Sequence, residues 1–282
     1  MTCEVAVSPL RGHDGERIGA VGLFFDVTRL TALERIRRDF VADASHELRT
    51  PLTSIRAFVE TLLAGGLEDP SNNRRFLEII KKHSDRMEAI LDDLTDLSLI
   101  ETGAVALEKE RIELHPMARD LLESLRPKAE GHGVSLAVQV PQGIALTADR
   151  RRLEQVLLNL LDNAIKFNRN EGSVILRASA LNDSSAGFEE SGRAAGAGGV
   201  RIEVEDTGIG IPADALEKIF HRFYRVDRTR SREMGGTGLG LSIVKHLMQA
   251  HGGSVRVESR PGRGSCFILE FPGLEASLTP TA

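Results

Sequence analysis

The chain has 282 residues, of which 41% are hydrophobic and 27% charged, and its formal net charge is −5. This length allows about two domains with sizeable cores, and the acidic balance argues against nucleic acid as a partner. No apolar run approaches the ~18 residues that a membrane-spanning helix needs, and Cys3 and Cys266 lie at opposite ends of the chain without metal-ligand spacing. We therefore expect a cytoplasmic chain without a membrane segment, with an inner-membrane anchor in a longer parent protein left open.

The first 28 residues have the pattern of the end of a β-domain. Residues 16–28, ERIGAVGLFFDVT, are rich in strand-forming residues, and the turn sequence HDGE leads into them. Two short strands do not bury a core alone. We therefore expect the chain to begin inside a larger domain.

Two long amphipathic helices are predicted next, between residues 29 and 102. Residues 65–73, GGLEDPSNN, carry the glycine and proline signals of a turn between them. A lone hairpin leaves an apolar stripe exposed, so we expect a homodimer that forms a four-helix bundle. In both helices apolar or small residues recur at spacings of three and four, which is typical of a bundle seam. The seam positions are Val41, Ala44, Leu48, Leu52, Ile55, Val59 and Leu62, then Leu77, Ile80, Ser84, Met87, Leu91, Leu94 and Ser98.

The sequence SHELRTP, residues 45–51, lies within the first of these helices. Its His-Glu pair resembles the start of the zinc motif H-E-x-x-H, but Thr50 stands where that motif needs its second histidine, which excludes a zinc hydrolase. At about 100° per residue, His46 lies roughly 160–200° around the helix from the neighbouring seam positions and so faces outward. Pro51 has no N–H for the carbonyl group of Glu47 and is expected to bend the helix. His46 is therefore either an idle surface histidine or a nucleophile.

From residue 103 onward strands alternate with helices, which predicts an α+β sandwich of about 170 residues. Residues 105–114, VALEKERIEL, have the pattern of a strand pair, and Asp149 is a candidate N-cap for a long helix. The linker at 181–199 is small, polar and glycine-rich, which predicts a flexible hairpin loop. The last residues, from 275, are expected to fray.

Two glycine-containing stretches of this domain indicate a ligand site. In DTGIGIP, residues 206–212, Asp206 can accept an N–H such as the exocyclic amine of a base, while Gly208 and Gly210 let the backbone approach a flat ligand. The alternative is a turn that merely needs glycine. In GGTGLGLSIVKHL, residues 235–247, a glycine-rich loop opens a helix, an arrangement that binds phosphate groups. The charged run RVDRTRSREM before that loop is either a mobile basic lid or a solvated loop.

A third stretch, NLLDNAIKFN, places Asn159 and Asn163 one helical turn apart on one face. Two amide oxygens there suit a hard cation such as Mg²⁺ that also holds phosphate oxygens, although buried asparagines more often satisfy backbone groups. Lys166 follows for the phosphates. The glycine-rich loop lacks the Gly-Lys-Ser/Thr of a P-loop and the preceding strand of a dinucleotide-binding motif. Together the three stretches predict a site for ATP that is not of the P-loop kind.

Five motifs of the chain resemble, in order, those of sensor histidine kinases, and the resemblance covers roughly residues 30 to 272. SHELRTPL resembles the H-box, NLLDNAIKF the N-box, DTGIGIP the G1 box, FHRFYRVD at 220–227 the F-box and GGTGLGLSIVKH the G2 box. The phosphate-regulon-type sensor kinases are the most similar subgroup, and GERIGAVGLFFDVT resembles the end of a PAS sensor domain. The resemblance implies a mixed fold, in which an α-helical hairpin that forms a dimeric four-helix bundle is followed by an α+β sandwich ATP-binding domain of the GHKL or Bergerat type.

The same resemblance implies roles for individual residues. His46 would accept the γ-phosphoryl group of ATP, Glu47 would orient its ring or take its proton, and Thr50 would position water for dephosphorylating the partner. Asn159 and Asn163 would hold Mg²⁺. Lys166 would face the phosphates, Asp206 would read the adenine amine, and Arg222 or Arg225 would touch the γ-phosphate. The other residues that the resemblance assigns to the pocket and its lid are Gly208, Gly210, Phe220, Phe223, Gly236, Thr237, Gly238, Leu239 and Gly240.

The function implied by the resemblance is that of an ATP-dependent histidine autokinase, which passes its phosphoryl group to an aspartate of a cognate response regulator and also dephosphorylates that regulator. An ATP-driven clamp of the same superfamily is one alternative, and the outward His46 argues against it. A non-catalytic dimeric scaffold is the other, and the presence of both Asn163 and Asp206 argues against it. The implied organisation is the end of a PAS-like domain at 1–28, a dimerisation and phosphotransfer hairpin at 29–102, a hinge at 103–110, a catalytic ATP-binding domain at 111–274 and a disordered tail at 275–282.

Overall fold

The computed structural model describes residues 2–11, 17–101, 106–181, 199–227 and 236–273. The chain divides into two compact units, Met1–Ser84 and Asp85–Ala282. Among the described helices, none combines the length and the apolarity that crossing a bilayer requires. The predicted 181–199 loop, the basic run before the glycine-rich loop, part of the hinge and the tail fall largely outside the described residues.

The first unit opens with two antiparallel strands, β1 (Cys3–Arg11) and β2 (Arg17–Asp26), in a register that pairs Cys3 with Asp26. The described side chains of both strands are exposed, Phe24 to 73%. The prediction of strands in this region is confirmed. The assignment to a PAS domain stays a prediction.

Two long helices follow, α1 (Thr28–Leu63) and α2 (Asn73–Glu101), which confirms the predicted hairpin. The turn between them uses Gly65 at a φ of +112°, a left-handed conformation that glycine adopts without a Cβ clash. Phe58 of α1 and Phe76 of α2 pack with their ring centroids 5.6 Å apart next to this turn. The unit boundary between Ser84 and Asp85 falls inside α2, so the carboxyl-terminal half of that helix belongs to the second unit.

The second unit is an α/β domain. Its five-stranded sheet has the order β4-β6-β7-β9-β8, in which β4 and β6 are parallel and the other neighbours antiparallel, and β3 and β5 form a separate antiparallel pair. The elements are β3 (Lys109–Glu113), α3 (Leu114–Gly131), β4 (Ser135–Gln139), β5 (Ala145–Asp149), α4 (Arg150–Lys166), β6 (Ser173–Ala180), β7 (Val200–Asp206), α5 (Gly240–Ala250), β8 (Ser254–Arg260) and β9 (Gly264–Phe271).

The core lies between the helices and one face of the sheet. Burial alternates along β6 and β7, as expected for strands with one face against helices. On α4 the buried positions recur at helical spacing, and each leucine buried there contributes about 1.5–3 kcal/mol. This packing holds α4 against the sheet beside the end of β7. The fully buried residues of this core include Leu153, Leu157, Leu160, Leu161, Leu176, Ile202 and Val204.

Two local predictions have different outcomes. Asp149 does cap α4, since its Oδ1 accepts the N–H of Arg152 at 3.0 Å. The strand pair predicted at 105–114 is wrong. Within the described residues, this stretch forms one strand, β3, whose partner is β5, with Lys109 opposite Asp149. β3 and β5 are antiparallel, and α3 lies between them in the sequence. Local patterning therefore did not reveal that they pair.

Candidate functional site

The SHELRTP sequence lies on α1, in the first unit. His46 is exposed, as are the seam residues Val41 and Leu52 in the single chain, so its orientation away from the seam stays a prediction. The helix continues through Pro51, and the hydroxyl groups of Thr50 and Ser54 donate to the carbonyl oxygens of His46 and Thr50, at 3.2 and 3.3 Å. Such hydroxyl bonds to carbonyl groups one turn earlier accompany helix bending. His46 therefore presents its ring to solvent on a helix that continues through Pro51.

A cavity of about 390 Å³ lies in the second unit, at the ends of β7 and α4. Five of the described residues that the sequence assigns to the nucleotide pocket lie outside its lining, namely Gly208, Phe220, Arg222, Phe223 and Leu239. The cavity brings together most of the pocket residues that the sequence predicts, namely Asn159, Asn163, Lys166, Asp206, Gly210, Arg225, Gly236, Thr237, Gly238 and Gly240.

Asp206 ends β7 and is buried at one end of the cavity. Its Oδ1 accepts the backbone N–H of Gly208 at 2.7 Å and that of Ser265 at 3.3 Å. Burial raises the pKa of Asp206 to about 6, although the two N–H groups oppose this effect by favouring the carboxylate. A buried carboxylate with one oxygen committed to the backbone has its other oxygen available as an acceptor.

The two glycines after Asp206 are required by close backbone contacts. A Cβ on Gly208 would lie 2.4 Å from the carbonyl oxygen of Phe167, and one on Gly210 would lie 2.1 Å from that of Arg260. Gly210 also has a φ of +69°, where side chains are strained. Gly208 therefore shapes the site from outside the lining, by letting the turn meet the end of α4.

The face of α4 that lines the cavity carries Asn159, Asn163 and Lys166. Lys166 Nζ lies 2.6 Å from Oδ2 of Asp162, and the same carboxylate also pairs with Lys128 of α3. Burial by itself raises the pKa of Asp162, but the two lysines outweigh it and the pKa lies below its ordinary value. Asp162 lines the cavity too and was missed by the sequence reasoning, although it lies inside the N-box.

Residues of the F-box hold the glycine-rich loop by hydrogen bonds to its backbone. Arg225 Nη2 donates to the carbonyl oxygens of Gly236 and Thr237, at 2.8 and 2.7 Å, and the N–H of Phe223 donates to that of Gly238 at 2.8 Å. Leu239 is fully buried and anchors the start of α5. Arg225 thus closes the base of a loop whose residues 228–235 lie outside the described part of the chain.

Two acidic residues from the half of α2 that belongs to this unit take part in it, and the sequence reasoning missed both. Asp93 lines the cavity, and its Oδ2 accepts the hydroxyl of Thr237 at 2.7 Å. Burial raises the pKa of Asp93, against the effect of that hydrogen bond. Asp96 accepts from Arg152 Nη1 at 2.9 Å and from Gln155 Nε2 at 2.7 Å. Their spacing of three residues on one helix was the available signal, but the seam pattern of α2 concealed it.

Two family models match the chain. Residues 36–103 match the His Kinase A (phospho-acceptor) domain, and residues 148–275 match the histidine kinase-, DNA gyrase B- and HSP90-like ATPase family. The first match contains His46 and the second contains the cavity-lining residues of α4 and of both glycine-containing turns.

Curated relatives and solved structures agree with these matches. The chain is 32% identical to the sensor histidine kinase WalK of Bacillus subtilis over 95% of its length, and 35% identical to the sensor-like histidine kinase SenX3 of Mycolicibacterium smegmatis over 92%. It spans 42% and 63% of the lengths of those relatives.

Solved histidine kinases share the fold. The structure of ThkA in complex with the response regulator protein TrrA aligns over 96% of this chain and 75% of that chain, with 25% identity and a TM-score of 0.62. Full-length ShkA in complex with AMPPNP aligns over 85% of this chain and 47% of that chain, with 30% identity and a TM-score of 0.59. With both regions matched in the order of that family, the chain belongs to the sensor histidine kinases.

Proposed function

We propose that this chain is an ATP-dependent histidine autokinase of a two-component system. His46 takes the γ-phosphoryl group of ATP and passes it to an aspartate of a response regulator. The observation that carries the proposal is the cavity in the second unit, where a buried carboxylate, two asparagines, a lysine and a glycine-rich loop converge. The exposed His46 on the helical hairpin, followed by the half-buried Glu47, supplies the acceptor.

The adenine end of the proposed site is Asp206. A buried carboxylate forms a stronger hydrogen bond to an exocyclic amine than a solvated one does, and Asp206 is buried. Its Oδ1 is engaged by two backbone N–H groups, which fixes the carboxylate plane. Asp206 thereby favours a base with an exocyclic amine over a base with a carbonyl oxygen at the same position, because the carboxylate would repel that oxygen.

The phosphate end lies between α4 and the start of α5. Asn159 Oδ1 faces the first residue of α5, since a Cβ on Gly240 would lie 3.0 Å from it. Uncapped N–H groups of α5 and the ammonium group of Lys166 favour negative charge here. Within the described residues there is no cluster of His, Cys, Asp and Glu that could hold a metal, so Mg²⁺ at Asn159 and Asn163 would be completed by phosphate oxygens and water. When bound, Mg²⁺ neutralises charge on the phosphate oxygens.

In the proposed reaction an imidazole nitrogen of His46 forms a bond to the γ-phosphorus of ATP. The bond from that phosphorus to the β,γ-bridging oxygen breaks, and ADP leaves with the electron pair. Glu47 would accept the N–H of the other ring nitrogen and so stabilise the charge that develops on the ring. The phosphoryl group then moves to a carboxylate of the regulator, and Thr50 would position the water that later removes it.

The exposed apolar side chains of the hairpin support a homodimer. Val41, Leu52, Leu77 and Leu91, all seam positions, are between 51% and 58% exposed in the single chain. A monomer with such a stripe would expose more apolar surface than soluble monomers usually do. A second copy of the hairpin buries it by completing a four-helix bundle.

The domain borders 1–28, 29–102, 103–110, 111–274 and 275–282 belong to the same proposal, with a PAS-like first segment. ThkA was solved in complex with a response regulator protein, and full-length ShkA in complex with AMPPNP. Both findings concern those proteins. They support a regulator and an adenine nucleotide as ligands of this chain.

Incubation of the purified chain with Mg²⁺ and ATP labelled at the γ-phosphorus tests the proposal. We expect label that survives alkali and is lost in acid, as a phosphorus–nitrogen bond requires. His46→Gln should abolish it, whereas His132→Gln, which changes another exposed histidine, should not. Label on the His46→Gln chain would contradict the role of His46, and bound nucleotide without any label would favour the scaffold.

A further inference from the structure

The turn that carries Asp206 is joined to α4 by a side chain that none of the motif assignments includes. Asn168 follows the end of α4 by two residues and is half-buried. Its Nδ2 donates to the carbonyl oxygens of Ala164 and Ser173, both at 3.1 Å. The amide group thus connects the last turn of the helix to the first residue of β6.

The oxygen of the same amide reaches the Asp206 turn. Asn168 Oδ1 accepts the hydroxyl of Thr207 at 3.2 Å and the N–H of Arg169 at 3.0 Å. The Thr207 hydroxyl in turn accepts the N–H of Ser173 at 2.8 Å. Both protons and both acceptor positions of the Asn168 amide are therefore used, which fixes its orientation.

The amide occupies a tightly closed space. A Cβ on Gly172 would lie 2.1 Å from Asn168 Oδ1, so only glycine leaves room for it there. The backbone adds one further link, the N–H of Ile209 to the carbonyl oxygen of Phe167 at 3.1 Å. Thr207 is the residue directly after Asp206, so this network holds the backbone next to the carboxylate.

We propose that Asn168 is a positioning residue, which sets the Asp206 carboxylate relative to α4 and thereby the preference for an adenine base. This inference rests on the proposed nucleotide site. The carboxylate and the asparagines of α4 must contact opposite ends of one ligand, so the distance between them has to be fixed by something other than the ligand. Asn168 ties both elements together and is not among the described residues that line the cavity.

The test measures the affinities of the whole chain for ADP and for inosine diphosphate, which has an oxygen where adenine has the amine. Wild-type protein should prefer ADP by about tenfold or more, the range of a hydrogen bond to a charged group. Asn168→Ala should reduce this preference about fivefold, because hydrogen bonds weaken steeply with misalignment. Asn170→Ala, which changes an exposed asparagine of the same turn, is the matched control and should keep the preference.

Thr207→Val separates positioning from a general effect on stability. If Asn168 acts through Thr207, the double variant should lose no more preference than Asn168→Ala alone. A lowered melting temperature with an unchanged ratio of the two affinities would overturn the inference and leave the proposed function standing. Additive losses in the double variant would overturn it as well. A wild-type chain that binds neither nucleotide would instead overturn the proposed function.

Discussion

At the scale of single residues, two buried ionisable groups link pH to the behaviour of the second unit. Asp206 has a pKa raised to about 6 by burial, and His251 has a pKa lowered by burial. Each is held by backbone groups rather than by an opposite charge. The two shifts have different consequences, because one group is proposed to bind the ligand and the other belongs to the core.

The affinity for ADP should fall as the pH drops through about 6, because Asp206 becomes protonated there. The carboxyl group must then lose its proton before it accepts the adenine amine as an anion, which weakens binding. Asp206→Asn should weaken binding at pH 8 by about tenfold and remove the inflection. Calorimetric titrations between pH 5 and 8 measure both effects. An inflection that persists in the Asn variant would show that another group titrates.

The stability of the fold should decrease as the pH falls below the ordinary histidine range. His251 Nε2 accepts the N–H of Asp149 at 3.1 Å, and Nδ1 lies 2.8 Å from the carbonyl oxygen of Leu247, so the ring is held neutral. The unfolded chain takes up a proton at pH 6.5 and below, whereas the folded chain does so only at lower pH. The stabilisation is therefore present above pH 6.5 and lost as the pH falls towards the folded pKa.

Urea unfolding at pH 7.5 and at pH 5.5 checks this expectation. His251→Gln should show a smaller loss of stability between the two conditions than wild type. His132→Gln, at an exposed histidine, should behave as wild type. Equal losses in all three proteins would exclude His251 as the source.

At the scale of elements, α2 supplies part of the wall of the cavity. Asp93 and Asp96 lie on the same helix, but Asp93 faces the cavity while Asp96 binds Arg152 at its side. A carboxylate in a cavity that is proposed to receive phosphates opposes their binding. Its contact with Thr237 also fixes the glycine-rich loop.

Asp93→Asn should tighten ADP binding about threefold, because it removes a like charge and keeps an acceptor for the Thr237 hydroxyl. The gain should shrink with added salt. Asp96→Asn is the matched control, three residues along the same helix and outside the lining, and should leave the affinity unchanged. Weaker binding by Asp93→Asn would mean that the carboxylate assists the ligand instead.

At the scale of the whole molecule, the chain is expected to act as a dimer. Leu77→Glu places a charge in the seam, at a position 54% exposed in the single chain, and should convert dimer to monomer in sedimentation experiments. Leu67→Glu, at a position 57% exposed in the turn between the helices, should remain dimeric. A wild-type chain that is monomeric at micromolar concentration would contradict the bundle.

The sequence predicts the hairpin and most of the pocket because their signals are local. Seam spacing needs one helix, and a glycine-rich turn needs a few neighbours. Asp93 was missed, and the partner of β3 was predicted wrongly, because both depend on residues far away in the sequence. Asp93 meets Thr237, 144 residues further along the chain, and β3 pairs with a strand beyond α3. Asn168 directly follows the N-box, but its proposed function depends on Ser173 and Thr207, which lie further along the chain.

The position of the unit boundary inside α2 has a consequence for modular exchange between related proteins. The sequence predicts a border at 103–110, yet Asp93 and Asp96 belong to the unit that they contact. A chimera joined before residue 85 transfers the nucleotide-binding unit together with its own helical wall. A chimera joined at residue 103 gives the pocket a wall from the helix of another protein. Arg152, which is almost fully buried, then has an ion-pair partner only if that helix carries an acidic residue in the place of Asp96.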